Sequence, residues 1–433
     1  MKTLLLGLGR ANLAVARYLL ERGDDVSLYE DHIEMISDEA RDLIGTSKIK
    51  MYQKDDYELV ITSPGFPMNK EVVRLLESKN IPIIDEIEFT YQQLKNPKII
   101  AVTGTNGKST TVSLISSILS AAGVRNFLGG NISPGEPFSR ALFQLAFEYY
   151  VLEISSFQLM RIEKFHPHIA VITNISRDHL NWHRDFNEYK SAKFCIFMNQ
   201  DNQDYAVLNY EDEHIQNFLK DIRAHVIFFG YNAKTGAWLN SDFCYQHEKL
   251  FSVKRSRLAG RHNMMNVLAA IAVAKILNID TQMIEKGLAT FKTLPHRLED
   301  IGKIRGVRYI NNSMCTNEDA AIASLKAIPG AKIIILGGKQ KGDRGENYLD
   351  LLIKEAKACV ILGDNAPYIT DYFRSKNFDK FAIAQDMDDA VRKARSFSTP
   401  GDTILLNPGF ASFDYFANFE ERGEAFKHAA YRD

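Results

Sequence analysis

Short apolar runs along this chain alternate with stretches whose apolar positions recur every three to four residues, a change of period that predicts strand followed by helix. Thr3 to Leu6 predicts a strand, Leu13 to Arg22 a helix after a glycine turn, and Val26 to Tyr29 a second strand ending at Glu30. Leu59 to Thr62, stopped by Ser63-Pro64-Gly65, and Pro82 to Ile84, stopped by the acidic run Asp85-Glu86, continue the series until Asn96-Pro97 breaks it. The rhythm then restarts with strands at Lys98 to Val102, Tyr149 to Leu152 and Ile169 to Ile172. The stretch from about Tyr205 to Val253 is rich in β-branched and aromatic residues and predicts extra strands or an irregular insertion, and Met264 to Leu277 predicts a long helix. After a second break at Thr293-Leu294-Pro295 come strands at Arg308 to Asn311, Lys332 to Leu336, Ala358 to Leu362 and Thr403 to Leu406. The pattern gives an α/β fold in three domains: Rossmann-like over 1–95, P-loop-like with a mixed sheet over 96–295, and Rossmann-like again over 296–433.

Composition narrows the partners. The 433 residues carry 53 Lys+Arg against 54 Asp+Glu, a net charge of -1, which argues against a surface built for nucleic acid or anionic membrane and leaves small anions possible. No apolar stretch reaches the ~20 residues needed to cross a bilayer. The apolar start is interrupted by Gly7, Gly9 and Arg10, unlike a signal peptide. Cys195, Cys244, Cys315 and Cys359 form no CxxC pair, so a reduced, cytoplasmic chain is expected.

Open α/β sheets bind ligands at the carboxyl ends of their strands, so the residues just after each strand carry the chemistry. Gly7-Leu8-Gly9-Arg10-Ala11-Asn12, with Glu30 after the next strand, reads as a nucleotide-diphosphate turn lacking the third glycine of the dinucleotide fingerprint. A ligand-free turn, or the NAD site of a dehydrogenase, would use the same residues. Thr103 to Thr111 is more specific: glycines free backbone amides to meet phosphate oxygens, a helix begins, Lys108 adds a charge, and Ser109 or Thr110 can reach Mg²⁺. Val102 stands where the first Walker glycine would be, against an ordinary P-loop kinase. Glu153 at a strand end can ligate Mg²⁺, or be merely solvated; Asn174, Asp178 and His179 follow a third strand and would share its rim, or simply form a loop and helix cap. Asn263 and Asn266 open a helix and suit a base edge, with plain capping as the alternative, and Arg297 at the second break can fork onto phosphate or ribose or be a surface arginine.

The ordered set GTNGKST, LEISSFQL, NISRDHL, YKSAK, HNMMN and PHR resembles the Mur ligases, ATP-dependent amino-acid ligases of peptidoglycan synthesis, over essentially the whole chain. The turn at Gly7, the SPGF loop at Ser63, the GGNI stretch at Gly129 and the tail from Asn407 to Phe426 most resemble the member that joins D-glutamate to UDP-MurNAc-L-Ala. The resemblance implies ATP on Gly104, Thr105, Asn106, Gly107, Lys108, Ser109 and Thr110, with Asn263, Asn266, Arg297 and Asn312 around adenine and ribose. It implies one Mg²⁺ on Ser109 and Glu153 and a second on His179 and a carbamylated Lys193, with Lys108, Glu153, His179 and Lys193 catalytic. The UDP substrate falls to Gly9, Arg10, Ala11, Asn12, Glu30, Asp31, Ser63, Pro64, Gly65 and Asn131, and D-glutamate to Thr316, Lys341, Ser412 and Phe419. Where the family reads DSKATN this chain reads Asn312-Ser313-Met314-Cys315-Thr316-Asn317, losing an acid and a lysine, with Lys341, Lys339 and Arg344 left to compensate. The implied protein is a cytoplasmic monomer whose domains close about the two breaks. A ligase for another amino acid such as L-glutamate, a folate polyglutamylating enzyme, or a silent nucleotide-binding subunit are the alternatives.

Overall fold

The computed structural model describes residues 1–432 except Glu34, Met35, Asp55, Pro134, Leu180, Asn181, Arg257, Ala259, Lys292, Thr293 and 341–343. Its strands form three parallel-rich sheets with helices between them, a mixed α/β architecture.

The first sheet holds β1 (Lys2–Leu6), β2 (Asp25–Tyr29), β3 (Lys50–Met51), β4 (Leu59–Thr62) and β5 (Ile83–Asp85) in the order β3-β2-β1-β4-β5, all parallel. Successive strands run outward on one side of β1 and then on the other, so the order reverses between β1 and β4, where such sheets open a crevice. Leu4, Leu5 and Leu6 are fully buried because helices cover both faces, which is why β1 is continuously apolar and does not alternate.

The second sheet holds β6 (Ile99–Thr103), β7 (Asn126–Gly130), β8 (Tyr149–Glu153), β9 (Pro167–Ile172), β10 (Tyr205–Asn209), β11 (His225–Gly230), β12 (Ala237–Leu239), β13 (Asp242–Tyr245) and β14 (Glu248–Ser252). Its order is β14-β13-β12-β11-β10-β9-β6-β8-β7, parallel as far as β12 and antiparallel through β13 and β14. The stretch from Tyr205 to Val253, expected to hold extra strands or an irregular insertion, holds five strands that widen the sheet. Strand β6 lies between β8 and β9, so the three loops leaving their carboxyl ends are neighbours.

The third sheet holds β15 (Glu299–Ile304), β16 (Val307–Asn311), β17 (Lys332–Gly337), β18 (Ala358–Ile361), β19 (Phe381–Ile383) and β20 (Thr403–Gly409) in the order β15-β16-β20-β17-β18-β19. Only the β15–β16 pairing is antiparallel.

By its contacts the chain divides into two compact units: 1–175, 185–257 and 265–291 with the first two sheets, and 176–184, 258–264 and 292–433 with the third. Within the first unit, the helix Glu86–Gln93 binds the two sheets together through buried carboxylates. Glu88, fully buried, accepts the consecutive amides of Glu163, Lys164 and Phe165 at 2.8–2.9 Å. Asp85 caps this helix on Ile87 N at 3.1 Å and is also buried, and its carboxyl is raised well above the ordinary carboxylate range by burial and then by Glu86 beside it. The acidic run that reads as a strand stop therefore faces protein, not solvent. No described helix is long and apolar enough to cross a membrane.

Candidate active site

The loop after β6 is built on two glycines in the left-handed region, Gly104 at φ 142° and Gly107 at φ 86°. A Cβ on Gly104 would lie 1.9 Å from Thr173 Oγ1, and one on Gly107 2.2 Å from Asn266 Oδ1. The loop is thus pressed against the end of β9 and against the helix Arg261–Ile276. Asn174, just after β9, holds it in register: its carbonyl accepts Thr105 N at 2.8 Å, its Oδ1 accepts Asn106 N at 3.0 Å, and its Nδ2 donates to Asn106 O at 2.9 Å. Thr173 Oγ1 donates to the same carbonyl at 2.7 Å. The helix Lys108–Ala121 begins at once, and its first-turn amides have no acceptor within the helix, leaving them for an anion.

Two ammonium groups meet over this loop. Lys108 Nζ donates to Gly104 O at 3.0 Å and to Thr105 O at 2.8 Å, and Lys193 Nζ donates to Gly104 O at 2.8 Å. Lys193 is 2% exposed and lies 4.6 Å over the Tyr189 ring, whose hydroxyl is 3.0 Å from Thr105 Oγ1. Two cations sharing one carbonyl repel each other, and an anion beside them relieves that repulsion.

Glu153 closes β8 at 3% exposure, and its Oε2 is buried without a hydrogen-bond partner. Leaving a carboxylate oxygen buried and unpaired is costly, and a hard cation is what such an oxygen takes. Ser109 is 1% exposed in the adjoining helix. Among the described residues no three His, Cys, Asp or Glu are grouped as a metal cage. Magnesium is commonly held by one or two carboxylates together with phosphate oxygens, so an isolated Glu153 suits it when nucleotide is present.

Asp178 and His179 follow β9 within seven residues. They lie in 176–184, which belongs to the second unit, whereas Lys108, Ser109, Glu153 and Lys193 belong to the first. There Asp178 accepts His179 N at 2.8 Å and Asn317 Nδ2 at 3.4 Å. Asn263 also groups with the second unit, while Asn266, one helical turn on, groups with the first and takes Thr111 Oγ1 at 3.4 Å.

At the β1–β4 crevice the turn Gly9 to Asn12 and the loop Ser63 to Gly65 face each other, a Cβ on Gly9 coming within 3.2 Å of Ser63 Oγ. The Asn12 amide points inward, donating to the carbonyls of Leu6, Gly7 and Ile61 at 2.9–3.2 Å, so its side chain braces the turn. Glu30 accepts Leu8 N at 3.0 Å and His32 N at 3.3 Å, and Asp31 pairs with Lys70. Asn131, exposed after β7, has its backbone amide on Glu153 O at 2.8 Å, joining the GGNI stretch to the end of β8.

In the second unit the loops after β16 and β20 meet. Ser313 Oγ donates to Phe419 O at 2.7 Å, and the buried Arg422 donates to Ser313 Oγ, Ser313 O and Phe410 O, which ties the loop that carries Thr316 and the loop that carries Ser412 to the first turns of the helix Phe419–Tyr431. Burial lowers the Arg422 guanidinium to about 10. Asn312 is 4% exposed, with Nδ2 on Ser324 Oγ and Asn407 Oδ1 and Oδ1 on Leu298 N. No donor of its amide is left for a ribose. Arg297 lays its guanidinium on the Met314 sulfur. Lys341 lies outside the described residues.

Residues 102–274 match the model of the Mur ligase middle domain, and 296–410 that of the Mur ligase glutamate ligase domain. The UDP-N-acetylmuramoylalanine--D-glutamate ligase of Pelotomaculum thermopropionicum is 36% identical across 98% of this chain and 96% of its own length. The chain belongs to the Mur ligase family. Other Mur ligases are similarly close: the enzymes of that same name from Streptococcus gordonii and Clostridioides difficile are 36% and 34% identical over 98% of the chain, covering 96% and 97% of their own lengths. Among solved structures, UDP-N-acetylmuramate-alanine ligase of Thermotoga maritima superposes with TM-score 0.66 at 19% identity, covering 99% of both chains. The MurF ligase of the same organism, in complex with ADP, gives 0.61 at 16% over 90% of this chain and 91% of its own.

Several supporting residues escape a motif reading. Tyr189 and Thr173 bear on the phosphate loop only through tertiary contact, and Arg422 sits inside an ordinary-looking helix, Phe419–Tyr431. Tyr189 opens the YKSAK motif, Arg422 lies within the tail from Asn407 to Phe426, and Thr173 borders NISRDHL, yet no motif says what each of them touches.

Proposed function

We propose that this Mur ligase joins D-glutamate to UDP-N-acetylmuramoyl-L-alanine, forming an amide bond at the expense of ATP in cytoplasmic peptidoglycan precursor synthesis. The observation that carries the reading is identity of about one third along nearly the full chain to ligases of that name. We assign the UDP substrate to a Rossmann-like domain, 1–95, ATP to a central domain, 96–295, and the amino acid to a Rossmann-like domain, 296–433.

The substrate's terminal carboxylate and the γ-phosphate are both anions and repel. Magnesium, as two ions, supplies when bound the charge that lets them approach; Ser109 and Glu153 would hold one, His179 and a carbamylated Lys193 the other. Carbamylation would exchange a buried ammonium for an anion at the Gly104 carbonyl. Lys108 and the first-turn amides of its helix hold the transferring phosphoryl group and take up its developing charge. The carboxylate attacks phosphorus, ADP leaves, and an acyl phosphate results. The uncharged amine of D-glutamate then attacks the acyl carbon, a base or water takes its proton, and phosphate departs, leaving the amide. Thr316, Lys341, Ser412 and Phe419 orient the amino acid, while Asn263, Asn266 and Arg297 hold the nucleotide. The protein acts as a monomer.

Phosphate release from MgATP with UDP-MurNAc-L-Ala, offering each amino acid in turn, tests this directly. D-glutamate is expected to give the fastest release. Faster release with another amino acid removes the D-glutamate assignment, and no release with any removes the ligase reading.

A further inference from the structure

Three loops meet at the carboxyl end of the first sheet, and an ion pair joins the outer two. Strand β1 lies between β2 and β4, so the loops that leave β2 and β4 start two strand spacings apart, about 10 Å. Asp31 stands just after β2, and Lys70 ends the loop after β4, as the N-cap of the helix Glu71–Ser78. The Lys70 ammonium nonetheless reaches the Asp31 carboxylate, so the pair spans the end of β1. Phe66, 9% exposed, lies beneath it: a Cβ on Gly7 would come within 3.4 Å of its ring, Tyr29 meets it edge-on at 6.1 Å, and Lys70 Nζ is 5.5 Å from its centroid. Two side chains that the family resemblance gives to this crevice are turned to the backbone instead, Asn12 to three carbonyls and Glu30 to the amides of Leu8 and His32. Lys70 and Asp31 face outward, with side chains 28% and 32% exposed.

We propose that Lys70, together with Asp31, reads the uracil base of the UDP substrate and is a specificity-determining residue of this ligase. This rests on the assignment of that substrate to residues 1–95. Along one edge uracil presents N3–H, a donor, beside O4, an acceptor. A carboxylate only accepts and an ammonium only donates, so Asp31 takes N3–H and Lys70 gives a proton to O4. Neither has to release the other, because the ammonium carries three protons and the carboxylate two oxygens. Cytosine reverses both positions: its N3 is an acceptor, and its exocyclic amine is a donor where O4 would be. That base turns an acceptor to Asp31 and a donor to Lys70, leaving both charges unanswered, which a hydrogen-bonding site rejects more strongly than a misfit of shape. The aromatic face under Lys70 fixes the ammonium before the base arrives, so less side-chain freedom is lost on binding.

The test is calorimetric titration of the full chain with UDP-MurNAc-L-Ala and with its cytidine counterpart. The wild type is expected to bind the uridine compound at least about tenfold more tightly, the worth of one hydrogen bond to a charged group. Lys70→Met should lose about tenfold in affinity for the uridine compound and little for the cytidine one, erasing the preference, with MgATP affinity unchanged. Asp31→Ala should behave alike, and Lys70→Arg, which keeps charge and donors, should retain most of the preference. A half-exposed ion pair adds little to stability, so these variants fold, and thermal melts verify it. A Lys70→Met variant that keeps the wild-type preference, or that loses both compounds equally, overturns the inference, the second result leaving Lys70 a general attractor of anions. A wild type that binds neither compound overturns the site assignment instead.

Discussion

Asn407 settles which side chain position 312 can hold. Its Nδ2 donates to Ala321 O and to Tyr348 Oη, both at 3.0 Å, while the tyrosine proton goes to Asn407 O at 2.6 Å. Only Oδ1 is left to face Asn312, so the partner must donate. An aspartate there, as the family motif reads, is acceptor-only when ionised. Asn312→Asp should therefore cost about 1–3 kcal/mol at pH 8 and less at pH 5, where the acid can protonate and donate. Equal melting temperatures for variant and wild type at pH 8 would sink this account. At Lys108 the expected loss is in turnover: Lys108→Ala should fold normally, because its bonds go to two carbonyls of a loop also held by Asn174, yet release no measurable phosphate. A normal kcat would remove the lysine from the phosphoryl site.

Between elements, what matters is how tightly the phosphate loop is pinned by its neighbours. Gly104→Ala would place a methyl 1.9 Å from a threonine hydroxyl already bonded to Asn106 O, on a backbone that L-residues rarely adopt. Nucleotide affinity, read by calorimetry with MgATP, should fall at least tenfold, as should stability; wild-type affinity would mean the loop does not cradle phosphate. Much of this element was legible in the sequence, since strand, glycines, lysine and helix are contiguous from Thr103 to Thr111. The brace was not. Asn174 reads equally well as a loop cap, and nothing local reveals that it bonds a loop some seventy residues earlier, an interaction that exists only because β6 and β9 are adjacent strands. Lys193 comes forward only through resemblance, because a lysine in a helix carries no signal of the loop it will touch, and Asn266 reads as a base-edge group or a plain cap with nothing local to show that it lies against the loop at Gly107.

For the whole molecule, the charge balance gave little away because charges that read as surface are inside. Asp85-Glu86 looked like a strand stop; both carboxyls are buried where the first sheet meets the second. A carboxyl raised from 4.5 to about 7 by folding contributes its stability below the unfolded value and loses it as pH rises through the folded one. That amounts to ~3 kcal/mol for Glu86 at high pH. Wild-type melting temperature should accordingly drop between pH 5 and pH 8.5, and Glu86→Gln should flatten the drop. A variant that keeps the full decline would show that other groups cause it.

The three amides gathered on Glu88 bear on how this chain can be rebuilt. Glu163, Lys164 and Phe165 lie some seventy-five positions beyond their acceptor, past the break at Asn96-Pro97 that looks like a natural place to cut and splice. A chimera joined there would keep the first sheet complete and still give its last helix carboxylates shaped for a neighbour it no longer has. Grafting works only if residues 135–165 travel with the first ninety-five, so the inheritable module is larger than the sheet that defines it.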